Sequence, residues 1–419
     1  FRSSQSGGHS LSTVLFQAFA PLVLGTRSMS AARLRHLVCH VNASLASKVC
    51  AATETCEYRQ QVVRHFWKGV LAHLLIVPPW ILPPAGLLGG LVAAGMPFGG
   101  KGALAMSGIG GVLVADIPKV VRALVCAAIM GMATAKRQSR AILGALVATI
   151  LCFLGSISDG SIPRIPGLFN YVSRWAPHYY KETKLRGALD DIRPGGKNFF
   201  GFHPHGCLCA GFTINGTYNP EFMKHAGRTL WLCDSGLRRR NPGFRMMAEA
   251  YEAEDRAIEA GDPSDFRKFM SRGETLCFLP GGFLDAVVFE HGVDVVYLST
   301  KKGFVKYCLQ FGYRLHPVYT FGERDTYYTF KGLKSLRIKI AKNNVPALAF
   351  FGWPLLPMLP LPSARLITYV GRGIDVPHIQ EPTEEEVDHW HSVYTEALRQ
   401  LFEEKKAEAG FPDAQLQLV

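Results

Sequence analysis

From about residue 161 onward, short apolar runs alternate with stretches of helical periodicity, and this alternation leaves few folds open. Residues 198–202, 229–233, 275–279, 314–321 and 366–370 have the length and apolar content of strands. Between them, residues 244–251, 264–271, 303–311 and 384–406 read as helices. The last is the most sharply marked, because Pro382 precedes a Thr383-x-x-Glu386 capping box. Val387, Trp390, Tyr394, Leu398 and Leu401 then recur at helical spacing. Strands alternating with helices predict an α/β layered domain over residues 161–419, built on a mostly parallel sheet.

The first part of the chain has a different character. Residues 1–197 hold 21 Lys and Arg against 7 Asp and Glu, whereas residues 198–419 hold 25 against 26. The whole basic excess therefore lies outside the α/β half. It accompanies the longest uncharged stretch, the 32 residues 69–100, which contain no Asp, Glu, Lys or Arg. About 20 apolar residues cross a bilayer as a helix, so the reading divides the chain into a basic region 1–68, a membrane-embedded hydrophobic region 69–160 and the α/β domain 161–419. Pro78, Pro79, Pro83 and Pro84 interrupt the long run, which fits a hairpin that dips in and returns as well as a single tilted crossing. The alternative is an amphipathic helical subdomain packed on the rest. The cheapest partner for the basic excess is an anionic lipid surface; nucleic acid fits less well, because the folded half is near neutral.

Hydrophobic residues make up 48% of the chain and charged residues 19%, which excludes a disordered protein. Ten cysteines occur without a C-x-x-C pair or a zinc-like Cys/His spacing. They read as small buried hydrophobes in a reducing compartment, and no metal or cofactor is implied.

Three segments carry chemistry. In residues 198–206, N-F-F-G-F-H-P-H-G, an apolar strand runs directly into His203 and His205, separated by Pro204 and closed by Gly206. The carboxyl ends of strands are where open α/β sheets place ligands. Pro204 stiffens the backbone between the rings, and Gly206 permits close approach. An imidazole titrates close enough to neutrality to take and return a proton, as an alcohol needs when it attacks a thioester. His203 is the favoured base, with His205 as orienter or alternative base. The second segment, T-L-C-F-L-P-G-G-F-L-D over 275–285, is a strand ending in a turn at Gly281 and Gly282, with Asp285 or Glu290 placed to orient a catalytic imidazole. The third, L-R-R-R-N-P-G-F-R over 237–245, offers Arg238, Arg239, Arg240 and Arg245 as a clamp for the phosphates of coenzyme A. A solvated basic loop is its ordinary alternative.

The His203-Pro204-His205-Gly206 signature resembles that of the type-2 diacylglycerol acyltransferase family, which also contains monoacylglycerol acyltransferases and wax synthases. Residues 279–285 are similar to that family's Gly-Gly block, residues 301–312 and 315–323 to its R-K-G-F and P-V-Y-S-F-G-E blocks, and residues 382–402 to its final helix. With residues 301–323 counted as one region, four blocks follow one another in the family's order, and the match covers roughly residues 165–419. The resemblance implies transfer of a fatty acyl chain from acyl-CoA, a substrate and not a cofactor, to diacylglycerol or a related lipid alcohol. It also implies a catalytic site containing His203 and His205. The expected setting is the endoplasmic reticulum membrane and lipid-droplet surface, with the catalytic half in the cytosol and membrane lipids as partners; a homo-oligomer stays open. Asp285 stands where the family usually carries Glu, its Tyr-Phe-Pro motif reads Pro177-His-Tyr-Tyr180, and its H-G-R-G stretch reads Phe350-Phe-Gly-Trp353.

Two competitors remain. Lysophospholipid acyltransferases use a His followed five residues on by Asp, but Leu208 and Ala210 occupy those positions here. The other competitor is a non-enzymatic, membrane-anchored lipid-binding protein. The tripeptides Asn42-Ala-Ser44 and Asn215-Gly-Thr217 fit N-glycosylation acceptors, and Asn215 is expected to stay unmodified.

Overall fold

In a computed structural model, the described residues are 56–77, 166–250, 252–341 and 348–419. The chain divides into two units, residues 1–64 and 65–419. The second unit is built on one sheet in the order β1 (Glu182–Gly187), β10 (Arg365–Val370), β7 (Arg314–Phe321), β2 (Asn198–His203), β5 (Thr275–Phe278), β3 (Thr229–Cys233) and β4 (Arg256–Ala260). All neighbouring pairs on this path are parallel except β10 with β7; β11 (Ile374–Asp375) adds a short antiparallel pairing to β7, and β6 (Asp294–Val296) pairs separately with β12 (Leu416–Leu418). This is the expected α/β architecture. All five predicted strands lie within one residue of their expected bounds, and Thr229–Cys233 and Arg314–Phe321 match at both ends.

The helices are α1 (Cys56–Ile76), α2 (Pro166–Trp175), α3 (Pro220–Ala226), α4 (Ser235–Arg240), α5 (Pro242–Ala250), α6 (Pro263–Ser271), α7 (Gly282–Val288), α8 (Gly303–Phe311), α9 (Lys334–Ala341) and α10 (Glu384–Lys405). The predicted cap of α10 forms: Glu386 N–H donates to Thr383 Oγ1 at 3.2 Å, and Thr383 N–H donates to Glu386 Oε2 at 2.8 Å. Its expected stripe buries Val387, Tyr394, Leu398 and Leu401.

β2 lies at the middle of the sheet, and all six of its residues are buried. A strand covered on both faces needs apolar side chains on both. Phe200 and Phe202 pack on one side with Phe222 and Trp231, and Phe199 packs on the other with Phe304, Leu315 and Tyr394. Side chains alternate along a strand, so Gly201 and His203 share the face of Phe199. Gly201 is what lets α10 approach there. A Cβ at that position would stand 2.1 Å from the Tyr394 hydroxyl.

β1 and β4 were not expected. β1 reads E-T-K-L-R-G and β4 reads R-A-I-E-A, so neither carries a simple apolar alternation. As the outermost strands they need only one well-covered flank, and pairing to β10 and β3 supplies it.

The membrane assignment falls largely outside the described residues. Among those described, no helix is long and apolar enough to cross a membrane. Residues 69–76, placed at sequence level in the hydrophobic region, continue α1 without a break at Lys68. There Val70, Ala72 and Ile76 are buried in one cluster with Phe169, Val172 and Tyr179. Asn215 lies in the core, where its Nδ2 donates to the Leu366 carbonyl and to Thr368 Oγ1, both at 2.9 Å. Burial alone closes it to glycosylation in the folded chain; Asn42 lies outside the described residues.

The close contact at Gly201 gives a stability test. Gly201→Ala is expected to cost about 1–3 kcal/mol by overpacking, read as a lower Tm. In a Tyr394→Phe background, which removes the obstructing oxygen, the penalty of the same change should shrink. Equal penalties in both backgrounds would contradict the packing described here.

Candidate active site

Three adjacent parallel strands end on one rim of the sheet. β2 pairs with β7 through His203 opposite Tyr319, and with β5 through Gly201 opposite Phe278. The chain leaving each strand therefore emerges beside the others. β2 delivers His203 and His205, β5 leads through Gly281 and Gly282 to Asp285 on α7, and β7 leads through Gly322 to Glu323.

The two histidines have different environments. His203 is the last residue of β2 and is only 1% exposed. Its Nε2 lies 2.9 Å from the Tyr394 hydroxyl, which in turn donates to the Gly201 carbonyl at 3.3 Å. In that chain Nε2–H donates to the hydroxyl oxygen, leaving the lone pair on Nδ1. That atom is enclosed, with no hydrogen-bond partner among the described residues. Burial pushes the ring's pKa down to about 3, so His203 is neutral at physiological pH.

His205 lies on the loop beyond the cis His203–Pro204 peptide and is half-buried. Its Nδ1 sits 3.1 Å from the Gly206 carbonyl. A carbonyl only accepts, so Nδ1 carries the proton and the Nε2 lone pair is left for a substrate. Burial lowers its pKa and keeps the ring neutral.

Asp285 does not orient an imidazole. Its Oδ2 accepts the backbone N–H of His205 at 2.8 Å, and its Oδ1 accepts that of Tyr297 at 2.9 Å. The carboxyl holds the loop and not the ring. The other candidate, Glu290, pairs instead with Lys331 in an exposed contact. Gly281, at the turn before α7, is required by the same carboxyl, since a Cβ there would meet Asp285 Cβ at 2.4 Å.

Glu323 was not assigned a role from the sequence, although it ends one of the recognised blocks. It is 1% exposed and accepts Ala210 N–H at 2.9 Å and Gly211 N–H at 2.6 Å. These amides follow the histidine loop, so Glu323 grips its far end as Asp285 grips its start. Gly206 lies directly against it: φ is 62°, and a Cβ would stand 2.4 Å from Glu323 Oε1. Glycine is demanded there by conformation and by space. The readable signal was an acidic residue just past the end of a buried strand. Tyr394 was read only as part of an apolar stripe. A buried tyrosine hydroxyl needs a partner, and His203 is that partner.

Burial pushes both carboxyls up to about 7. In each, this outweighs two backbone donors that favour the charged form. For Glu323 the neighbouring Asp285 adds to the rise.

The arginines lie on α4 and α5; α4 leaves the carboxyl end of β3, which is parallel to β5 and therefore ends on the same rim. Arg238 donates to the Ile258 carbonyl at 2.7 Å and to Glu249 at 3.5 Å; Arg239 binds Asp262 and Asp265 at 2.6–2.8 Å; Arg245 approaches Glu249 at 3.7 Å. Arg240 is exposed. Arg238, Arg239 and Arg245 are thus engaged with carboxylates and backbone of the domain itself. An apolar crevice does open beside the histidine loop, lined by His73, Ile76, Tyr180, Leu208, Ala210 and Tyr327. Among the described residues, no cluster of His, Cys, Asp or Glu is arranged to hold a metal.

The Glu323 carboxyl predicts a pH effect with a definite sign. Its folded pKa, about 7, lies above the ordinary glutamate value, which is about 4.3. Its contribution is therefore complete below the unfolded pKa and is lost as pH rises through the folded one, because the unfolded chain releases the proton first. Glu323→Gln removes this titration and turns an amide group toward one of the two N–H donors. The variant should be less stable throughout, and its deficit in denaturant melts should narrow as pH rises from about 4 toward neutrality. A deficit independent of pH in that window would contradict the shifted carboxyl.

The Diacylglycerol acyltransferase family model matches residues 167–419. The chain is 32% identical over 252 residues to 2-acylglycerol O-acyltransferase 3 of Homo sapiens, covering 56% of this chain and 71% of that protein. It is 27% identical over 230 residues to Diacylglycerol O-acyltransferase 2 of Dictyostelium discoideum, covering 50% of this chain and 66% of that protein. The solved structure of the 1-acyl-sn-glycerophosphate (LPA) acyltransferase PlsC from Thermotoga maritima overlaps with a TM-score of 0.32 at 12% identity, over 65% of this chain and 86% of that one, too little for any residue to be carried across. With the family model spanning the whole sheet and the histidine loop at its rim, the chain belongs to the diacylglycerol acyltransferase family.

Proposed function

We propose that the protein moves a fatty acyl chain from acyl-CoA to the free hydroxyl of diacylglycerol, forming triacylglycerol, with His205 as general base. The observation that carries this assignment is the Gly206 carbonyl 3.1 Å from His205 Nδ1, which leaves a lone pair on Nε2 of a half-buried ring. The order of the two histidines is thereby exchanged relative to the sequence reading. His203 is enclosed, and its Nε2 is engaged with Tyr394.

In this mechanism His205 Nε2 takes the hydroxyl proton as the alcohol oxygen attacks the thioester carbonyl. The tetrahedral intermediate collapses with cleavage of the C–S bond. The imidazolium then returns the proton to the departing coenzyme A sulfur, so base and acid are the same group. His203 and Tyr394 hold the end of β2, and Asp285 and Glu323 hold the two ends of the loop. The crevice beside the loop is apolar but small, about 20 Å³, so a hydrocarbon tail must part its walls to enter.

Monoacylglycerol as acceptor is the second reading, favoured by the 32% identity to the human 2-acylglycerol enzyme. Phosphate binding by Arg238, Arg239, Arg240 and Arg245 is part of the proposal, supported by the exposure of Arg239 and Arg240 at the end of α4; it proceeds by exchange of partners that these side chains already hold within the domain. We place the reaction at the endoplasmic reticulum membrane and lipid-droplet surface with this domain in the cytosol, supported by the basic first half and its long uncharged run.

Purified full-length protein given labelled acyl-CoA with diacylglycerol, monoacylglycerol, fatty alcohol and lysophospholipid in parallel should transfer to diacylglycerol in preference to the others. Transfer to none of them would reject the enzyme. His205→Ala is expected to lower kcat by about 10²–10⁴-fold with little change in Tm. His203→Ala should act mainly on stability, by about 1–3 kcal/mol through loss of the buried hydrogen bond from its ring to the Tyr394 oxygen, while retaining far more activity below its Tm. The reverse ranking of the two variants would return the base to His203.

A further inference from the structure

Beyond the transfer reaction, one surface of the domain is built unlike the rest. β8 (Tyr328–Thr329) and β9 (Phe350–Phe351) form a two-stranded ribbon, with α9 between them in the chain. Tyr328, Phe330, Leu333, Leu336, Ile340 and Phe351 are between 36% and 68% exposed, and they form most of the large hydrophobic side chains that the described residues leave open to solvent. Leu336 and Ile340 stand four apart in α9 and share one face of it, and Leu333 lies just before the helix. That face points outward. The opposite side, through Ile338 and Ala341, packs on Leu284 and Val287 of α7.

A surface helix normally turns its apolar stripe to the core, and a lone exposed leucine needs no explanation. Six large apolar groups on one ribbon and helix do. Leu333 is also held at φ 55°, the left-handed region that a leucine adopts only when its surroundings impose it. The fold thus holds a bulky apolar side chain outward.

Charge selects among the possible partners. Residues 328–341 contain Lys331, Lys334, Arg337 and Lys339 and no acidic residue. Lys331 reaches back to Glu290, and Arg337 donates to the Val287 and Gly332 carbonyls; Lys331, Lys334 and Lys339 are all exposed beside the apolar stripe. Exposed apolar groups bordered by lysines match a surface that is apolar inside and negative at its edge.

We propose that the outward face of β8, β9 and α9 is a docking face that inserts Phe330, Leu333, Leu336 and Ile340 into the interfacial layer of an anionic bilayer. The inner side of the same element touches the site at two places. Tyr327 and Phe350 pack with Cys207 and Leu208, directly after the His205 loop, and α9 packs on the helix that carries Asp285. Docking here sets the histidine rim at the lipid surface without further rearrangement.

The test uses the full chain in phosphatidylcholine nanodiscs with and without phosphatidylserine. An environment-sensitive fluorophore is placed at Leu336→Cys and, as control, at Arg399→Cys on the exposed side of α10, with label on the parent chain subtracted. Doxyl-labelled lipids should quench the probe at 336 about threefold more than at 399, more strongly with phosphatidylserine and less in high salt. Phe330→Cys repeats the measurement at a second point on the face, should one variant fold poorly. Equal quenching at 336, 330 and 399, or equal quenching in neutral and anionic discs, overturns the proposal. A probe signal that rises with protein concentration in lipid-free detergent would assign the face to a second copy of the chain and overturn it as well.

Discussion

The parallel pairing of β7, β2 and β5 is the constraint from which the rest of the site follows. Parallel neighbours end on the same side of a sheet, so residues distant in sequence leave their strands side by side. His205, Asp285 and Glu323 come from three separate segments, and backbone hydrogen bonding in the ladder sets their proximity. The two carboxyls then complete what the ladder begins, each accepting amide donors of the histidine loop at one of its ends. The loop is held by side chains that touch only its backbone, which leaves the His205 ring free to meet a substrate.

Burial divides the labour between the imidazoles. The period of two along β2 turns His203 inward toward α10, where Gly201 makes room for Tyr394, and desolvation keeps the ring neutral. His205 lies beyond the strand's regular geometry and so escapes that face. The same low-polarity surroundings raise Asp285 and Glu323 to near neutrality. The rim is therefore a desolvated setting in which the charged form of each carboxyl is disfavoured relative to water.

Much of this was readable from residues. The capping box at Thr383 and Glu386, the buried run of β2, and the glycine turns after β2 and β5 announced themselves by local chemistry, because a cap or a two-sided buried strand needs particular residue types wherever it occurs. β1 and β4 gave no such signal, since their places are fixed by the strands they pair with. The roles of Asp285 and Glu323 were hidden for a related reason: a carboxylate's partner is decided by approach in space. The arginine segment shows the same limit: its composition suits phosphate, and only the fold reveals that Ile258, Asp262, Asp265 and Glu249 lie within reach of Arg238, Arg239 and Arg245.

The amino-acid sequence by itself determined the α/β class, the position of the histidine loop at a strand's carboxyl end and the membership of an acyl-transfer family, because periodicity, turn chemistry and ordered motifs are local properties of a chain. Which histidine keeps an accessible lone pair, what the buried carboxyls hold, and which apolar groups face outward were decided only by tertiary structure. Exposure, desolvation and hydrogen-bond partnership arise from what packs against a residue, and the packing partners here come from segments up to about two hundred residues away in the chain.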